Sequence, residues 1–361
     1  MSRNRKQSRR SPRLVATAIA SLSIVLAAGG CGFVGASTGD DTLVFAGFGG
    51  SMETAMKEEV IPAFEKEHDI DVTYVVGTSD ELMAKARAGS SEIDVIWTND
   101  STHYDGKQED LFAELDESKV ENLEDAYDAA KDPDGIGVAT GIQALGLMYN
   151  TDVFEKQGWQ PPASWGALWD EKYAGHVVGY NFPIGYSNLL LVQAAKMNGG
   201  SPENLEPGWK AFERLAPKAT AWVSPPAELQ AMVADGTGWL AYNGSARAYA
   251  GMAAGEPVGF AYPREGAIAY PQFFDVLKTA PNPDLAQEFV DFALSPEAQA
   301  GMAEVAMMGP VNRTVELEDS VAETVPYGEE AIEDLQFLDT EQVNENLDEV
   351  TARWTRIAGG A

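Results

Sequence analysis

The chain runs to 361 residues, of which 45% are hydrophobic and 22% charged; that length is a prior for about two domains, and that composition excludes disorder for most of the chain. Its 25 basic and 56 acidic residues give a formal net charge of −31, which excludes phosphate-rich partners such as nucleic acid, because these need a basic face.

The charge is unevenly placed. Arg3, Arg5, Lys6, Arg9, Arg10 and Arg13 stand in residues 1–30 with no acidic residue among them. An apolar run follows from Leu14 to Ala28, about 22 Å of helix at 1.5 Å per residue and too short for a ~30 Å hydrocarbon core. A basic start, a short apolar centre and the small residues Gly29 and Gly30 predict a secretory signal over 1–30. The lone cysteine, Cys31, then resembles the acylated residue of a bacterial lipobox, with Ala28 where such boxes usually carry Leu. Two acyl chains on Cys31 would anchor the protein stably. Residues 32–40 are small and polar and read as a flexible tether. The rest of the sequence has no second apolar stretch of spanning length, so contact with the membrane is expected through the lipid anchor alone.

From Asp41 onward, short β-type runs alternate with helical patterns. TLVFAGF (42–48) predicts a strand ending in glycines, and Met52, Ala55, Met56, Val60, Ala63 and Phe64 repeat at helical spacing. IDVTYVVG (70–77) predicts a second strand, and Ser79 or Asp80 a cap for a helix that turns Leu82, Met83 and Ala86 inward. IDVIW (93–97) predicts a third strand, and three strands separated by helices imply right-handed crossovers and a parallel sheet. Further strands are predicted at 139–150, 176–181, 239–245, 259–263 and 271–278. Helices are predicted at 164–173, 188–197, 203–215, 227–235, 283–304 and 341–357, the helix at 283–304 interrupted by Ser295-Pro296.

Catalytic constellations do not emerge. His68, His103 and His176 are scattered, and a single cysteine cannot build a zinc cluster. A nucleophile elbow at Gly185-Tyr186-Ser187 fails at Leu189, and a dinucleotide turn at Gly47-Phe48-Gly49-Gly50 fails at Met52. A calcium loop around Asp132-Pro133-Asp134-Gly135 lacks its first and last ligands, Ala130 and Gly141 standing there. No metal and no cofactor is expected. The aromatics are more informative, falling at or just after strand-like runs. Tyr242 ends WLAYNGS beside a turn, where an amphipathic ring suits a pocket wall.

TLVFAGFGGSMETAMKEEVIPAFEKEHDIDVTYVVG, IDVIWTND, LMYNTDVF, SWGALWDEKYAGHVV, WLAYNGSA, YPREGAIAY, APNPDLAQEFVDFALSPEAQA and GPVN together resemble the solute-binding proteins of bacterial ABC importers, nearest to the spermidine/putrescine-binding group. The resemblance runs in order from about Thr42 to Ile357. It implies an α/β, two-lobed, periplasmic-binding-protein-like (type II) fold with a ligand cleft between the lobes. Lobe one would hold 41–142 and 272–361 and lobe two 143–271, with the chain crossing near 142–148 and 263–275. It implies capture of a small organic solute, a polyamine-like amine or related compound, by a monomer that hands it to an ABC importer permease without catalysis. An extracytoplasmic α/β enzyme and an acidic protein-binding module are the competing readings.

Carried over by position, the resemblance implies ligand contacts from Phe48 and Ser51 after the first strand, Asn99 and Ser101 after the third, and Tyr242, Tyr270 and Gln272. Gln272 stands where the polyamine group has an amine-pairing aspartate, and YNFPIGYSN (180–188) carries no acid. Burying an ammonium group without a carboxylate costs several kcal/mol. A neutral, zwitterionic or singly charged solute therefore fits this sequence better than a polyamine.

Overall fold

The computed structural model describes residues 42–89 and 92–359, so the signal, Cys31 and the tether lie outside the described residues. Nine strands form one continuous sheet: β1 (Thr42–Gly47), β2 (Asp71–Val76), β3 (Val95–Asn99), β4 (Val138–Asn150), β5 (Val177–Tyr180), β6 (Ala219–Val223), β7 (Leu240–Gly244), β8 (Val258–Ala261) and β9 (Ile268–Val276). Their order is β2-β1-β3-β9-β4-β7-β5-β6, with β8 paired to β4. β1 pairs parallel with β2 and β3, and β5 pairs parallel with β6 and β7. Helical crossovers between parallel strands cover both sheet faces, which is why β1, β3, β5 and β7 read as nearly continuous apolar runs.

The centre is antiparallel. β9 lies between β3 and β4, opposing Asn99 to Gln272 and Gln143 to Tyr270. β4 pairs with β9 through its first half and with β7 and β8 through its second. These two long strands join two apolar cores. In the first, Phe45 meets Phe274 at 4.7 Å and Phe289 at 5.2 Å between ring centroids. In the second, Phe182, Trp209, Phe212, Tyr180 and Tyr242 pack between β5, β7 and the helix Gly185–Met197.

Three local differences from expectation have plain causes. The helix beginning at Ser79 is capped by Thr78, whose hydroxyl accepts from the Glu81 N–H while Glu81 accepts from the Thr78 N–H at 2.9 Å; this reciprocal box satisfies two terminal donors at once. The segment 164–173 forms two short 3-10 turns, Trp165–Trp169 and Glu171–Tyr173, each started by a side-chain cap from Ser164 or Asp170. The C-terminal helix divides at Asn346 into Glu341–Glu345 and Leu347–Ala358. Its Val343, Val350 and Trp354, with Leu338 before them, pack in the second core; they do not pack with the first, where assignment of the whole of 272–361 to lobe one would put them. Trp354 is the anchor, 4.5 Å from Trp222 and 5.3 Å from Phe182, its Nε1 donating to Asn181.

Among the described residues no helix is long and apolar enough to cross a membrane, and no group of three or more His, Cys, Asp or Glu side chains is arranged to hold a metal ion.

Candidate functional site

A cleft of about 410 Å³ opens along the line where β3, β9 and β4 meet. Its floor is set by strand alternation: Tyr270 and Gln272 point to one side of β9, and Gln143 stands opposite Tyr270 on β4. One wall follows the carboxyl ends of β1 and β3, the position where open α/β sheets leave a crevice. Phe48 and Ser51 come from the turn after β1, and Gly50 in that turn sits at φ +76°, a backbone conformation that a side chain would strain. Asn99 ends β3. The opposite wall is Tyr186, at the start of the helix Gly185–Met197, and Arg247, in the helix Ser245–Ala253.

Five of the residues singled out in the sequence, Phe48, Ser51, Asn99, Tyr270 and Gln272, therefore meet in one cleft. Two do not. Ser101 donates to Asn99 Oδ1 at 2.9 Å and supports that side chain from behind. Tyr242 has no exposed surface. Its hydroxyl receives the Tyr180 N–H at 2.9 Å and bonds Ser187 Oγ at 2.8 Å. A position just before a turn suggests a strand end open to a pocket. β7 instead lies between β4 and β5 with both faces covered, so Tyr242 is a core residue whose phenol burial pushes upward.

Arg247 is the residue that sequence reasoning missed. It follows Asn243-Gly244-Ser245, which reads as a turn. The alanines at 246, 248, 250 and 253 were the available sign that a helix begins there and aims its first turn at the strand ends. Arg247, like Arg214, Arg313 and Arg356, pairs with no carboxylate among the described residues, and it is the only charged side chain in the cleft wall. Its field is felt locally: burial raises the Tyr186 phenol, and the Arg247 guanidinium pulls the other way.

The cleft also holds unspent hydrogen-bonding capacity. Gln143 and Tyr186 are 5% and 8% exposed, yet neither side chain has a hydrogen-bond partner among the described residues, and the Tyr270 hydroxyl has none either. These groups line one shared space and leave polar atoms free to bond a polar solute there. The Tyr186 and Tyr270 rings stand edge to face at 5.0 Å and give that solute an aromatic corner.

Behind the cleft a buried ionic cluster fixes the helix Asp100–Gln108. His103 Nδ1 lies 2.8 Å from Asp275, on β9, and its Nε2 lies 3.3 Å from Asp132. Lys107 donates to Asp132 at 2.5 Å and to Asp134 at 2.9 Å, and Thr98 donates to Asp275 at 2.5 Å. Burial works against the charge on His103, but Asp275 and Asp132 outweigh it and raise the imidazole to about 9. Burial likewise opposes ionisation of Asp132, and the bonds from His103 and Lys107 overcome it, lowering that carboxyl to about 2. Gly137, at φ +78°, lets the backbone pass Asp275, where a Cβ would fall 2.1 Å from the carboxylate.

A larger hollow, about 660 Å³, lies between 262–267 and 322–336. Its Glu265 and Gln336 are taken up by the chain itself. Glu265 accepts from Ser164 and the Trp165 N–H, and Gln336 donates to the carbonyls of Glu265 and Gly266. The smaller cleft is the better candidate.

Residues 59–327 match the family of bacterial extracellular solute-binding proteins. The chain belongs to that family. It is 25% identical over 337 residues to a gamma-aminobutyric acid-binding protein of Pseudomonas aeruginosa, covering 88% of this chain and 91% of that protein. It is 29% identical over 260 residues to a putrescine/cadaverine-binding protein of the same organism, covering 66% of this chain and 71% of that protein. A solved ABC transporter structure from Clostridium perfringens superimposes with a TM-score of 0.77 at 25% identity, over 88% of this chain and 99% of that one. The family shares the two-lobed, type II periplasmic-binding architecture, and membership favours the solute-binding reading over the enzyme and the protein-binding module. As a member of an extracellular family the protein works outside the cytoplasm.

Proposed function

We propose that this solute-binding protein captures a small carboxylate-bearing amine, of the size of γ-aminobutyrate, and hands it to an ABC importer permease. Arg247 carries this reading. A lone guanidinium among amides and tyrosines, in a wall with no acid, suits a carboxylate and repels a diamine. Gln143 and the Tyr186 and Tyr270 hydroxyls supply the remaining bonds, and the faces of Phe48 and Tyr270 suit the ammonium end. A diammonium ligand would meet Arg247 without a compensating carboxylate, at a cost of several kcal/mol. The relatives' named ligands include both kinds, an amino acid and diamines, and the charge in this cleft favours the first.

In this reading lobe one comprises 42–142 and 272–335, lobe two comprises 143–271 together with 338–359, and β4 and β9 are the hinge. A ligand that touches Asn99 and Phe48 on one side and Arg247 and Tyr186 on the other is fully bound only in the closed form, so it drives closure. The protein acts as a monomer without catalysis of its own, held at the membrane by a lipid on Cys31. Thermal unfolding with γ-aminobutyrate and with putrescine tests the choice of ligand. At 100 times its dissociation constant γ-aminobutyrate should add about 2.7 kcal/mol of stability, and putrescine should add little. A shift with putrescine alone would refute the reading.

A further inference from the structure

The C-terminal chain touches both sides of the cleft. Ile332 and Leu335 belong to the first core. Gln336 then pairs with the hinge strand, its N–H donating to the Ala267 carbonyl and its carbonyl accepting from the Ala269 N–H. From Leu338 the apolar side chains enter the second core, and Trp354 locks the helix Leu347–Ala358 there. Arg353 adds ion pairs to Glu206 at 2.7 Å and Glu213 at 3.5 Å. This helix is bound to move with lobe two.

The short segment just before it reaches back. Thr340 Oγ1 donates to Asp100 Oδ2 at 2.7 Å, and Asn344 Nδ2 braces Thr340 at 3.1 Å. The Tyr104 hydroxyl donates to Glu341 at 3.2 Å and lies 3.5 Å from Glu345. Asp100 and Tyr104 are in the first turns of the helix whose cap, Asn99, lines the cleft. We infer that Thr340–Glu345 is a latch between the lobes, holding the cleft closed through Asp100 and Tyr104 in the ligand-free protein.

The contacts suit a latch that opens. They are a few polar bonds beside the cleft, the Tyr104 ones exposed and the Thr340 ones partly or wholly buried, with no aromatic packing between the two helices. The donors are dependable. Burial and the neighbouring glutamates raise the Tyr104 phenol to about 12, so it remains protonated, and the Thr340 hydroxyl always has a proton to give. The latch and the ligand act on the same helix, so a bond made by one favours the other.

The test measures the distance across the cleft without ligand. Nitroxides placed by Lys85→Cys and Met252→Cys, in a Cys31→Ser background, sit on exposed positions of the two helices that flank it. Electron–electron resonance on the unaltered latch should show a short-distance population. Thr340→Val and Tyr104→Phe, made separately, should each cut that population at least about twofold in favour of a longer distance, and a shift with either variant supports the latch. Unchanged distributions in both variants would overturn it, as would a single long distance in the unaltered chain.

Discussion

Arg247 and Tyr242 show how two residues five positions from each other in the sequence divide function and packing. Tyr242 looks like a cleft residue because it precedes a turn, but its hydroxyl is tied to Tyr180 and Ser187 beneath a covered sheet. Its truncation should therefore act on folding. Tyr242→Ala is expected to cost about 3–5 kcal/mol of stability in the ligand-free protein, and Tyr242→Phe about 1–3 kcal/mol from the unpaired Tyr180 N–H. Urea titrations should show this at unchanged affinity for any ligand; a loss of affinity with full stability would return Tyr242 to the cleft. Phe48, Ser51, Asn99, Tyr270 and Gln272 were legible through the family resemblance, and Phe48, Ser51 and Asn99 also because they follow predicted strands at their carboxyl ends. Arg247 was not, because a charged residue after Gly-Ser looks like exposed loop until the helix that turns it inward is known.

At the level of elements, parallel strands with helical crossovers were readable from apolar period alone, and β1 to β3 follow that reading closely. What escaped was whatever depends on a partner distant in sequence. β6, ATAWV, is an edge strand with a mixed burial pattern, so its period is weak. The helix Asp100–Gln108 is polar along most of its length and is held by the His103 cluster, which joins residues 98, 103, 107, 132, 134 and 275. That cluster has a pH signature. His103 is raised to about 9 in the folded protein. Its contribution is thus complete below the unfolded value of about 6.5 and is lost as pH climbs through about 9. Asp132, lowered to about 2, contributes above about 3.8 and loses that contribution as pH falls through about 2. The stability difference between the wild type and His103→Gln should be largest near pH 6 and shrink by pH 10, by calorimetry at matched ionic strength. A difference independent of pH over that range would mean that His103 is not charged in the fold. Because Asp275 lies three residues from Gln272 on β9, the cluster also holds the floor of the cleft in register.

In the whole molecule, the proposed function has two lobes close on a solute whose carboxylate meets Arg247. The surface supports capture outside the cell and little else: a net charge of −31 keeps the protein soluble and away from anionic surfaces, while the cleft wall bears a single positive charge. This contrast of an acidic exterior and a cationic pocket makes a carboxylate-bearing ligand an unusual guest, recognised by local geometry and not by the long-range field. Arg247 is exposed and pairs with no carboxylate among the described residues, so its replacement should spare the fold. Isothermal titration of γ-aminobutyrate into the wild type and into Arg247→Met is the most direct measurement. A charge-assisted pair is worth about 1.5–3 kcal/mol, so the dissociation constant should rise roughly tenfold to a hundredfold in the variant while its melting temperature without ligand stays that of the wild type. Equal affinity in the two proteins, or heat with putrescine and none with γ-aminobutyrate, would contradict the claim.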